Sequence, residues 1–394
     1  MIVGVDIWAE IVDALSFSFG MLWAILWALI LGFALSGVVQ AAVSKKEMQR
    51  LLPDDRPGTL VRATALGAAS SSCSYAAVAL SRSLFRRGAD FTSAMAFEIA
   101  STNLVAELAI VIALLLGWEF VLGEFVGGPL MIIILAIVFR RFLKRRLVDA
   151  AREQANKGLV GSMEGHAEMD MSADVPGTWS QRLRTPQGFT ATADYFVMDW
   201  AAIWRDIAIG LLVTGALAAW VPDSFWQNLF LTDHETAAKF WGPVLGPIVA
   251  MISFVCSVGN VPLAAVLWNG GISFGGVIAF LFGDLIIVPI LNINRKYYGL
   301  KMAGFLLGSF YVAMVLAGLG VELLFEAIGI EPTERNAKVT EAEVTWNYTT
   351  FLNIVFLGLA AVLVWRYFRR GGGLSMLKMM NEPARAHGHD HHCH

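Results

Sequence analysis

The chain has 394 residues, 57% hydrophobic and only 15% charged, and its mean hydropathy is +0.62. A soluble globular domain carries roughly 25% charged residues, so this composition, with 13 Trp and 25 Phe, excludes an ordinary soluble enzyme and indicates a membrane protein. A net charge of −3 provides no basic field for nucleic acid, and three scattered cysteines, Cys73, Cys256 and Cys393, make no disulfide framework.

A membrane helix needs about 20 mostly apolar residues. In chain order the candidate spans are 11–42, 94–118, 125–139, 201–221, 274–291, 303–328 and 351–367. The first is long enough to tilt or to extend beyond the bilayer. It lacks a preceding basic segment and far exceeds the apolar core of a leader, so no cleavable signal peptide is expected. Two apolar stretches are less regular. Residues 60–80 are rich in Ser, Ala and Gly, and residues 241–268 are interrupted by Pro243, Gly246, Pro247, Gly259, Asn260 and Pro262.

Loop charge orients the spans. Basic residues gather at Lys45, Lys46, Arg50, Arg56 and Arg62, at Arg82, Arg86 and Arg87, and at Arg140, Arg141, Lys144, Arg145 and Arg146. They gather again at Arg295, Lys296 and Lys301, and at Arg366, Arg369 and Arg370. Acidic loops hold Glu119 and Glu124, then Asp223, Asp233 and Glu235, then Glu331, Glu334, Glu341 and Glu343. The basic set is expected in the cytoplasm and the acidic set outside, with the N-terminus external and the C-terminus cytoplasmic in an inner membrane. The stretch 60–80 is then flanked by basic clusters on both sides, and 241–268 must enter and return externally. Both read as re-entrant hairpins; read as full spans, they raise the count to eight or nine.

An internal repeat supports the hairpins. Aligned without a gap, the 25 residues from Cys73 match those from Cys256 at nine positions, among them Ser74/Ser257, Gly88/Gly271 and Phe91/Phe274. About two matches are expected by chance in so biased a composition. Each unit is then helix, hairpin, helix, helix, inserted with opposite orientation, the arrangement of secondary transporters that bind substrate near the midplane. The expected fold is an all-α polytopic membrane protein of two inverted-topology repeats, with about seven spanning helices and two hairpins. Repeat 1 covers 1–141 and repeat 2 covers 200–330; between them, 142–199 reads as a cytoplasmic linker, helical at its start. Residues 331–370 hold an external loop and a final helix, and 371–394 a His-rich cytoplasmic tail.

Irregular backbone at membrane depth is tolerated only where it lines a cavity or is buried in protein, so the hairpin tips are the candidate site. The first tip offers Ser71, Ser72, Cys73, Ser74 and Tyr75; the second offers Cys256, Ser257 and Asn260. Thiolates suit soft metals and metalloids, although a lone buried cysteine is more often a small hydrophobe. Ionisable groups within spans are functional candidates. Glu98, Asn103, Glu107 and Asp284 form the candidate coupling or proton-relay set, Glu98 and Glu107 not sharing one helix face. In the tail, His387, His389, His391, His392, Cys393 and His394 form a borderline ligand set for a divalent metal. No phosphate-binding loop and no hydrolase motif is present, so neither an enzyme nor a required cofactor is expected.

The run Cys-Ser-x-x-x-x-Pro-Leu-Ala followed by Gly, from Cys256 to Gly271 and in weaker form from Cys73 to Gly88, resembles the predicted permease family that includes the methylarsenite (organoarsenical) efflux permeases. The resemblance spans both halves and is sharp over about 25 residues in each. Members of that family show Cys-Ser-Cys in these motifs. Here Tyr75 and Val258 stand at the third position and Ala79 replaces the first-half proline, so the implied metalloid export carries over to Cys73 and Cys256 alone. The expectation is a permease exporting a thiophilic metal or metalloid, or a small sulfur-related solute. A channel-like permease for a neutral solute and a membrane metal sensor acting through the tail are the alternatives. Expected partners are the lipid bilayer, a small inorganic or organometalloid substrate and further copies of the chain in a homo-oligomer.

Overall fold

The computed structural model describes residues 7–42, 52–71, 74–86, 88–156, 179–253, 257–332, 334–335, 337, 346 and 348–369. Among these it is all-helical. The first half runs α1 (Ile7–Ala42), α2 (Pro57–Ser70), α3 (Ser74–Arg86), α4 (Phe91–Asn103), α5 (Ala106–Leu115) and α6 (Trp118–Phe142). After α7 (Arg145–Ala155) and a short α8 (Trp179–Leu183), the second half runs α9 (Pro186–Trp220), α10 (Asp223–Phe230), α11 (Glu235–Ser253) and α12 (Ser257–Asn269). It continues with α13 (Phe274–Phe282), a 3-10 turn (Gly283–Ile286), α14 (Val288–Tyr298) and α15 (Leu300–Ile328), and α16 (Tyr348–Arg369) follows outside the two halves.

Four helices are long and apolar enough to cross a membrane: 14–35 of α1, then α6, α15 and α16. Two further expected spans are broken. The α4–α5 pair bends by 42°, and the pair formed by α13, its 3-10 turn and α14 bends by 44°, giving up to six crossings by length and composition among the described residues. Pro289 explains the second break, because a proline near a helix start cannot extend the preceding helix. The expected span at 201–221 lies in α9, where the charged pair Arg205 and Asp206 precedes an apolar run from Ile207 to Trp220. Helix α9 also starts at Pro186, capped by Thr185, well inside the stretch assigned to a linker.

Each helix pair that follows the first long helix folds back on itself. At the base of α2–α3, the Asp90 amide donates to Leu52 O (3.1 Å) and the Ser93 hydroxyl to Asp54 O (2.5 Å). The start of α2 is thereby tied to the start of α4, where α3 also ends. In the second half Gly242, early in α11, packs against Ser273, the N-cap of α13, next to the end of α12. The two returning helices end alike. Gly88 (φ 109°) and Gly271 (φ 110°) occupy the left-handed region that favours glycine, with paired bonds Gly88 N→Phe85 O, Ala89 N→Leu84 O, Gly271 N→Trp268 O and Ile272 N→Leu267 O.

The two bases lie at opposite ends of the molecule. Along α6, Phe120 packs its ring against Trp268 and Phe274 at the second base, whereas Phe139 stacks on Phe91 and Arg140 bonds Asp55 at the first. Phe120 and Phe139 are about 28 Å apart at 1.5 Å per residue, close to the thickness of a bilayer core. Helix α15 spans the same distance between Phe305, against Phe139, and Phe325, against Phe274. Outward-facing Ile133, Ile137, Val312, Leu316, Ile354 and Val355 complete an apolar belt suited to lipid.

Helix α7 closes the first base. Arg82, which its neighbours in sequence place among the basic loop residues, is fully buried in α3, donates to Ala155 O (2.9 Å) at the end of α7 and lies over the Tyr297 ring (4.1 Å). Arg152 returns the contact to Ala89 O (3.1 Å). Arg82→Ala is expected to cost about 1.5–3 kcal/mol, the value of a hydrogen bond involving a charged group. It should also speed tryptic cleavage within α7; cleavage at the wild-type rate would show that Arg82 does not hold the helix.

Candidate functional site

The turning points of the two pairs meet at the centre of the molecule. Ser74 is the first residue of α3 and Ser257 the first of α12, and their hydroxyls lie 3.2 Å apart. Both donate to one oxygen of Asp284, Ser74 at 2.6 Å and Ser257 at 2.5 Å. Asp284 is fully buried in the 3-10 turn where the second bent pair breaks. The N-terminal ends of two 13-residue helices therefore converge on one carboxyl group, as their dipoles favour. Asn103, the last residue of α4, lies beside the same carboxyl, its amide donating to Ile99 O (3.3 Å) and Thr102 Oγ1 (2.9 Å).

The other expected residues distribute around this centre. Ser71 ends α2 in a left-handed conformation (φ 40°), and its hydroxyl bonds the carboxyl of buried Glu107 in α5. Gly32 of α1 sits against Glu107, with no room for a side chain there. Glu98 is buried in α4 and accepts from Ser81 of α3, a residue that sequence reading did not single out. Asn260 is buried one turn into α12 and accepts weakly from Ser253 (3.4 Å). Cys73, Cys256 and Ser72 lie outside the described residues, as do the side chain of Tyr75 and the whole His-rich tail. Each cysteine directly precedes one of the two paired serines in sequence. Among the described residues no three His, Cys, Asp or Glu side chains cluster in a metal-binding group.

One acidic residue changes place relative to expectation, and a second was not singled out. Glu124, assigned to an external loop, is fully buried within α6, because that helix begins at Trp118 rather than at 125. Glu322, in α15, is buried and accepts from the Gly275 amide at the start of α13. Its position in an apolar span was a visible signal; that of Glu124 was hidden by the spacing of its neighbours.

Near the second base, two cavities of about 390 and 340 Å³ share Lys239 and Glu322. Lys239 pairs with Glu326 (2.9 Å), and Arg335 stacks on Trp268 (4.4 Å) while donating to Trp268 O (2.7 Å) and Ile272 O (2.9 Å). Burial draws the Arg335 guanidinium down from its ordinary value, opposed by Glu322 and Glu331. The volumes suit a small solute, and the lining mixes the charged Lys239, Glu322 and Glu326 with apolar Phe240 and Leu323.

Comparison with known proteins adds three observations. A family model described as a predicted permease matches residues 10–323, both halves of the fold without α16. "Putative permease Rv2963" of Mycobacterium tuberculosis is 63% identical over 349 residues, 89% of this chain and 86% of that protein. "UPF0718 protein YcgR" of Bacillus subtilis is 21% identical over 74% of this chain and 90% of its own length, and "UPF0718 protein YraQ" of Escherichia coli is 26% identical over 39% and 41%.

Proposed function

This chain belongs to the predicted permease family, and on that premise we propose that it exports a thiophilic metal or metalloid, or a small sulfur-related solute, through a site at the hairpin tips. It is an integral membrane protein, matched by a predicted-permease family model and 63% identical to a protein named as a putative permease. The observation that carries the proposal is the Ser74–Ser257–Asp284 contact. It brings the residues that follow Cys73 and Cys256 onto one carboxyl group, halfway between two bases that open at opposite ends.

Inverted topology makes sense of that contact. Ser74 and Ser257 occupy the same position of the aligned repeat, so each touches its own counterpart, as residues on a two-fold axis do. Bases about 28 Å apart across α6 then fit re-entrant hairpins that enter from opposite membrane faces. The basic base, with Arg56, Arg62 and Arg140, is assigned to the cytoplasm, and the base with Asp233, Glu326 and Glu331 to the outside. In this reading Cys73 and Cys256 hold the cargo, Ser71, Ser72, Tyr75 and Asn260 shape its cavity, and the charged cavities at Lys239 form an external mouth. Glu98, Glu107, Asn103 and Asp284 serve ion coupling.

The test is growth of a sensitised host expressing the chain or Cys73→Ser/Cys256→Ser, across arsenicals, antimonite and mercury, copper, zinc and silver salts. Protection by the wild type that disappears in the double variant is expected. Protection that persists in the variant would remove the thiols from the site and favour a channel for a neutral solute.

A further inference from the structure

Four side-chain oxygens are deeply buried and lack a hydrogen-bond partner: both carboxyl oxygens of Glu124, Oδ1 of Asp284 and Oδ1 of Asn103. All four are acceptors. Asn103 is the last residue of α4, at the first bend, and Asp284 lies in the turn at the second. Glu124 stands between these bends. On either side of it in α6, Gly123 and Gly127 admit Ile278 and Phe282 of α13 to close contact, and Gly128 admits Leu104, the residue at the α4–α5 break.

The surroundings hold no counter-charge. The elements packed against α6 are α4, α5, α13 and α15, with Trp268 of α12 against Phe120. Their charged groups are Glu98, Glu107, and Lys301, Glu322 and Glu326 of α15, and Asp284 follows in the turn after α13. Of these, Asp284 alone lies near enough to act electrostatically on Glu124. The C-terminal end of α4 adds partial negative charge beside Asn103. Buried acceptors with no donor and no cation are costly, and a positively charged ligand is the species that would satisfy all of them at once.

We propose that Glu124, Asp284 and Asn103 form a binding site for a monovalent cation, a proton or a sodium ion, seated where both bent helix pairs break. The site is joined to the hairpin tips through one carboxyl group: Asp284 accepts Ser74 and Ser257 on Oδ2 and leaves Oδ1 for the ion. Filling the site therefore alters the charge that holds the two tips together, which is the differential interaction that coupling requires. What the ion drives rests on the permease reading; its binding does not.

The experiment uses the purified full chain in lipid nanodiscs, without cargo. One arm titrates sodium chloride against choline chloride and reads the thermal unfolding midpoint. The other titrates pH in choline chloride and reads the infrared band of protonated carboxyl groups. The expected result is a sodium-specific rise in the midpoint or a titrating carboxyl band, lost in both Glu124→Gln and Asp284→Asn. No signal in either arm, or a signal that survives both substitutions, overturns the proposal. Should Glu124→Gln fail to fold, Asn103→Leu replaces it. That variant should weaken sodium binding about tenfold or more, or shift the carboxyl titration; an unchanged titration overturns the proposal equally. A failed growth panel and a failed titration remain separate results.

Discussion

Asp284→Asn is expected to keep the fold and lose export, whereas Asp284→Ala should lose both. Asparagine preserves the shape and one acceptor for Ser74 and Ser257, so the hairpin tips can still meet, but the charge that addresses a cation is gone. Alanine leaves two buried hydroxyls without their acceptor and opens a void. Hydrogen bonds to charged groups contribute about 1.5–3 kcal/mol each, so the alanine variant should lose several kcal/mol. The measurements are host protection against whichever cargo the wild type exports, and the unfolding midpoint of purified protein. Asp284→Asn that protects like the wild type would remove this carboxyl from the transport mechanism.

The second large effect concerns backbone proximity. Gly67 in α2 lies on the Phe97 carbonyl of α4, and Gly246 in α11 lies on the Gly276 carbonyl of α13, each pair 30 residues apart in sequence. A Cβ at either glycine would fall onto a carbonyl oxygen, and main chain cannot yield as a flexible side chain can. Small residues at such crossings let helices approach within the membrane. Gly67→Val and Gly246→Val are each expected to cost about 4–5 kcal/mol or more, at the extreme of single substitutions. Neither should give monodisperse protein in detergent. Gly304→Ala and Gly308→Ala in α15, with nothing within 4 Å of the added atom, are the controls and should raise the midpoint slightly. A monodisperse Gly67→Val with a wild-type midpoint would show that the crossing is looser than described.

Much of the architecture was legible because membrane insertion is written in composition. A run of apolar residues reports on a solvent, and needs no knowledge of what the helix packs against. The ungapped match of the two Cys-Ser segments likewise placed both turning points and paired Gly88 with Gly271, which adopt the same left-handed conformation. The bends were not legible in the same way. At Leu104 no proline or glycine marks the break. Glu124 was misplaced for a related reason: it lies only six residues past Trp118, where a hydropathy window sees a loop.

The sequence by itself determined a polytopic helical membrane protein, its two matched halves and the residues at their turning points, since these depend on local composition and on self-similarity. Only the tertiary structure decided that Ser74 and Ser257 share one carboxyl group and that Glu124 is buried within α6. These groups lie far apart along the chain, and their meeting depends on helix crossings set by shape at a few glycines, which no local pattern encodes.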